Sequence, residues 1–72
     1  MTKTEFLTMV KQHMRNNKNQ WLSSYFNVDG KKVGIKLFNK YLQILEIDGL
    51  YCGGCEFKTQ KELIQYINDN ID

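Results

Sequence analysis

The chain contains no proline, one histidine and two cysteines in 72 residues. Each scarcity excludes a class of chemistry. Two cysteines are too few for a disulfide scaffold, which points to a cytoplasmic protein with reduced thiols. A thioredoxin-like dithiol needs its first cysteine at a helix N-terminus. Here the helix signals resume near Thr59, well past Cys52, and no proline is at hand to supply a cis neighbour. A structural zinc needs four ligands. Cys52 and Cys55 supply two, and His13, the other candidate, falls on the apolar side of a helix. Two copies would have to share a site to complete the set, so neither metal nor cofactor is expected. The reading left for "CGGC" is a strand with a bulge at Gly53-Gly54.

Catalytic patterns are missing too. There is no glycine-rich phosphate loop and no H-x-x-E or D-x-D pattern, so the chain reads as non-enzymatic. No apolar run is long enough to span a bilayer. The most apolar stretch, Tyr41 to Ile47, is short and contains Gln43 and Glu46. The opening "MTKTEFLTMV" lacks the continuous apolar segment of a secretory signal. No membrane role is expected.

What is present is ordinary globular composition, 42% hydrophobic and 25% charged, enough for one small domain over residues 1–72. The net charge of +2 conceals a split. Residues 1–40 hold eight basic against two acidic residues; residues 41–72 hold two basic against six acidic. Nine of the ten basic residues are lysine and seven residues are asparagine, a usage that fits an AT-rich phage or mobile-element genome.

Two segments carry helix signals. Thr2-x-x-Glu5 and Thr59-x-x-Glu62 are capping boxes. Phe6, Met9, Val10, His13 and Met14 follow the first at helical spacing, and the asparagines of "RNNKNQ" end that helix near residue 17. Leu63, Ile64, Ile67 and Ile71 follow the second. Between them, "WLSSYFNV", "KVGIKLF", "YLQILEI" and "LYCGGCEF" read as strands joined at Asp29-Gly30, Asn39-Lys40 and Asp48-Gly49, residue pairs suited to two-residue hairpins. The fold class is therefore α+β: a two-layer α-β-β-β-β-α domain, a four-stranded antiparallel meander with two helices on one face. Alternation places Val33, Ile35, Leu37, Leu22, Phe26, Val28, Leu42 and Ile44 under the helices. The opposite face then shows Trp21, Tyr25, Phe38, Tyr41 and Leu45 with Lys36 among them. Glu46 and Ile47 break the alternation, which predicts a bulge there.

The meander also gathers charge. The end of the first helix, the Asn39-Lys40 turn and the start of the second helix fall at one sheet edge, which collects Arg15, Lys18, Lys40, Lys58 and Lys61, a candidate phosphate-binding rim.

Two family resemblances point the same way. The tryptophan-led strand, Asp29-Gly30-Lys31-Lys32 and the closing Phe57-Lys58-Thr59-x-Lys61-Glu62 resemble the arm-type DNA-binding domains of tyrosine integrases. That resemblance implies a sheet entering the DNA major groove. The chain departs from it by an extra hairpin between Asp29 and Phe57, and by Glu56 where glycine is usual. The helix-sheet-helix order with Lys58 and Lys61 opening the second helix is similar to double-stranded-RNA-binding domains. Leu63, Ile67 and Ile71 are larger than that family's alanines, and one strand is surplus.

The sequence thus supports a small binding module. Nucleic acid, RNA or DNA, is the leading partner, held by the basic edge (Arg15, Lys18, Lys40, Lys58, Lys61) and the aromatic face (Trp21, Tyr25, Lys36, Phe38, Tyr41). The alternative is a protein-binding inhibitor of a host or defence protein, or a self-associating homodimer using the same aromatic residues.

Overall fold

The computed structural model describes residues 1–71, with side chains described at 1–50 and 55–71. The Cys52 and Gly53-Gly54 readings therefore lie outside the described side chains. The elements run α1 (Lys3–Asn16), β1 (Leu22–Val28), β2 (Lys31–Phe38), β3 (Tyr41–Ile47), β4 (Leu50–Phe57) and α2 (Gln60–Asn70). The strands pair antiparallel in chain order, β1-β2-β3-β4. This is the α+β meander that the turn residues predict.

Local chemistry sets these boundaries. At the start of α1 the Thr2 hydroxyl accepts from the Glu5 N–H at 3.1 Å, and Glu5 Oε1 accepts from the Thr2 N–H at 2.8 Å. That backbone donor, followed by the Thr2 side chain, holds the Glu5 carboxyl below the usual carboxylate range. At α2 only half of the predicted box forms. Thr59 accepts from the Glu62 N–H at 3.2 Å, while no bond from the Glu62 side chain back to Thr59 completes it. Positive φ falls at Asp29, Gly30, Asn39, Asp48 and Gly49. Both Asp-Gly turns thus adopt the left-handed pairing that matches strand twist. In the Asn39-Lys40 turn Asn39 alone takes positive φ, sparing Lys40 the strain a long side chain meets there.

Under the helices the sheet buries Val28, Val33, Ile35, Leu37, Leu42, Ile44 and Ile47 against Phe6, Val10 and Met14 of α1 and Leu63 and Ile67 of α2. Ile71 joins them from one residue beyond the helix, in extended backbone and fully buried. Phe6 meets Phe26 with ring centroids 5.6 Å apart, which seats α1 over β1. Burying each such aliphatic side chain stabilises by about 1.5–3 kcal/mol. The predicted bulge lies between Ile44 and Glu46, so Leu45 is the extra residue. It returns Ile47 to the core while leaving Glu46 opposite Gly34. No helix among the described residues is long and apolar enough to cross a membrane.

Candidate nucleic-acid interface

The face away from the helices carries an aromatic cluster built by cross-strand register. Phe38 and Tyr41 face each other across the Asn39-Lys40 turn. Leu22 pairs with Leu37, so Trp21, just ahead of β1, lands beside Phe38. The Trp21 and Phe38 rings stack at 4.6 Å and 19°, and Tyr41 meets Trp21 edge-on at 5.7 Å and 64°. Lys36 Nζ lies 5.4 Å from the Trp21 ring centre and 5.9 Å from that of Tyr41. Both are within the range where an ammonium is drawn to the negative face of a ring. The Tyr41 hydroxyl and Gln43 Oε1 stand 3.1 Å apart, fixing the Tyr41 ring.

Tyr25 forms a second station on the same face. It pairs with Gly34 across β2, and a Cβ at Gly34 would stand 2.5 Å from Tyr25 Cε2. The missing side chain lets the ring lie flat across the neighbouring strand. Lys32 Nζ sits 4.7 Å from the ring centre. The rings remain accessible: Trp21 is 54%, Tyr25 49% and Tyr41 37% exposed, with Phe38 half-buried beneath Trp21. Register with Gly34 and with Gln43 assigns Glu46 and Glu56 to this face as well, so its cations, Lys32 and Lys36, lie on β2 and its carboxylates on β3 and β4.

The five cations of the predicted rim are all exposed. Arg15 occupies the last turn of α1. The Lys18 carbonyl accepts from the Asn39 N–H, which ties the chain after α1 to the turn that carries Lys40. Leu42 pairs with Phe57, so Lys58 follows at the same edge and Lys61 lies in the first turn of α2. Trp21, Phe38 and Tyr41 also lie at this end of the sheet. The aromatic face and the basic edge, read from the sequence as two sites, are therefore contiguous: one cluster of three rings and Lys36, bordered by Lys18 and Lys40.

Sequence reasoning missed two features. Lys32 belongs beside Tyr25, a pairing that only the β1–β2 register reveals. A groove of about 420 Å³ along α2 is lined by Phe57, Lys61, Glu62, Gln65, Tyr66 and Asp69, with Phe57 and Tyr66 at 5.2 Å. Its signal was the helical spacing of Glu62, Tyr66 and Asp69, hidden by the stronger aliphatic stripe beside it. As for metal chemistry, His13 is half-buried with its Nε2 shielded and unpartnered, and Cys55 is paired in register with Ile44. Among the described residues no three His, Cys, Asp or Glu side chains gather in a group that could hold a metal ion.

None of the family models, curated proteins or solved structures compared with this chain matches it. The resemblances to integrase arm domains and to double-stranded-RNA-binding domains gain no support from these comparisons.

Proposed function

We propose that this protein is a non-enzymatic module that binds single-stranded nucleic acid, stacking bases on the open sheet face and holding phosphates along its basic edge. The observation that carries this reading is the convergence of Trp21, Phe38, Tyr41 and Lys36 at the lysine-rimmed end of the sheet. Exposed rings offer every base a π-face, worth about 1–3 kcal/mol per stacked base. A cationic border adds sequence-independent phosphate attraction. Trp21 and Tyr41 are the proposed stacking residues of the first station and Tyr25 of the second. Lys36 and Lys32 lie between bases and backbone, and Lys40, Lys58 and Lys61, with Arg15 and Lys18, hold phosphates. Single strands suit this face because duplex bases expose only their edges.

One observation favours a second reading. Trp21 already stacks on Phe38, so the cluster presents a raised apolar patch, the form of a protein-interface anchor. On that reading the partner is a host protein.

Ionic strength separates the two. Affinity for a single-stranded oligonucleotide should fall steeply between about 50 and 200 mM salt. Lys40→Gln, Lys58→Gln and Lys61→Gln together should leave the Tm nearly unchanged and flatten the salt dependence, by up to about 0.7 units of slope per lost contact on a single strand. No oligonucleotide binding by the wild type at low salt overturns the proposal and promotes the protein-partner reading.

A further inference from the structure

The two edges of the sheet are not alike. β4 is irregular: Ile44 pairs with Cys55 and Glu46 with Tyr51, so three residues of β4 stand against one of β3. Native edges commonly carry such an interruption, a charge or a proline, any of which discourages further pairing. β1 carries none of these. Trp21 to Val28 contains no charged residue and no proline, and its register with β2 is unbroken.

Register also shows which backbone groups of β1 are unused. Val28 and Lys31 close the Asp29-Gly30 turn, so Val28, Phe26, Ser24 and Leu22 direct their backbone groups at β2. Trp21, Ser23, Tyr25 and Asn27 direct theirs outward. The Asn27 C=O accepts from the Met1 backbone nitrogen, and the Asp29 N–H donates to the Met1 C=O, which covers the far end of the edge. Among the described residues the outward N–H and C=O groups of Trp21 and Ser23 and the Tyr25 N–H make no hydrogen bond; the Tyr25 C=O receives only a 3.5 Å contact from Ser24 Oγ.

We infer that β1 pairs with β1 of a second copy, antiparallel about a two-fold axis at Ser23, joining the two sheets into one of eight strands. This register is the one that Met1 leaves open. Ser23 faces its own copy, and Trp21 faces Tyr25 of the second copy on both sides of the axis. Three outward pairs exchange about six backbone hydrogen bonds. No like charges meet, because the paired segment has none. Trp21 and Tyr25, both about half exposed in the single chain, become direct cross-strand neighbours, an aromatic pairing that stabilises antiparallel strands. Ser23 and Ser24 keep the axis uncrowded on both faces. The dimer also lengthens the open face without burying its outward surface. The inference is independent of what that face binds.

Sedimentation and native mass measurement over a range of concentrations test it, together with amide exchange of the wild type. The expected result is a concentration-dependent dimer in which the Ser23 and Tyr25 amides gain protection as concentration rises. Ser23→Pro removes the central outward donor at a position where an edge strand tolerates proline, and should yield a folded monomer. Ser23→Lys sets two ammonium groups face to face and should weaken association by about fivefold with the fold intact by circular dichroism. A wild type that stays monomeric at every concentration overturns the inference. So does a dimer that survives in folded Ser23→Pro, or one whose Ser23 and Tyr25 amides exchange as freely as in the monomer.

Discussion

The two faces of the sheet are both rich in large apolar side chains, yet they differ in kind. The helix-covered face is mainly aliphatic and its centre is dry: Val28, Val33, Ile35, Leu37 and Ile44 are all fully buried. The open face is aromatic and wet, with Trp21, Tyr25 and Tyr41 about a third to a half exposed and lysines against their rings. The same alternation along each strand feeds both. Shape-filling aliphatics close a core, while rings that keep one side accessible serve contact with something else. If stability and recognition are divided between the faces in this way, substitutions on each should read out differently.

The largest effect is expected on the dry face. Ile44→Ala leaves a cavity in the core between sheet and helices and should cost about 2–5 kcal/mol. A domain this small has a total near the lower end of about 5–15 kcal/mol, so denaturant titration should show most of its stability gone. On the open face, Tyr25→Ala with Tyr41→Ala removes only cross-strand pairs worth about 0.2–1 kcal/mol each, and the protein should remain folded. Partner binding should drop by about 2 kcal/mol or more. If the pair instead unfolds the chain, the division between faces fails. A smaller effect is expected at Gly34. Gly34→Ala adds a Cβ where the Tyr25 ring now lies. The ring can swing away, so stability should shift by no more than about 1 kcal/mol. Tyr25 should lose its place over Gly34 and beside Lys32, visible as moved Tyr25 ring resonances, with a modest loss of binding.

Much of this division was legible in the residues themselves. Asp29-Gly30 and Asp48-Gly49 fix two hairpins because their backbone freedom matches the turn, and the alternation of Val33, Ile35 and Leu37 assigns the buried face directly. Thr2 and Glu5 form the box their spacing predicts. Other features depend on which residues become neighbours across strands. The stacking of Trp21 on Phe38, and the seating of Tyr25 over Gly34 beside Lys32, follow from a β1–β2 register that the Asp29-Gly30 turn implies and that emerges only when the pairs are counted out along both strands. The bulge at Leu45 shifts the partners of β3 by one step, which is how Glu46 comes to the open face opposite Gly34. The merging of the aromatic cluster with the basic edge arises the same way, from the Lys18–Asn39 backbone bond and the Asn39-Lys40 turn acting together.

The chain has a single tryptophan, and it lies at the centre of the proposed stacking cluster. Titrating the protein, at a fixed concentration, with a single-stranded oligonucleotide at low salt while following Trp21 fluorescence therefore reports directly on that surface. Saturable quenching is expected as a base stacks on the indole, reversed by added salt and weakened by Lys36→Gln. Emission that stays unchanged through the titration, or quenching indifferent to salt, would rule out base stacking at this cluster.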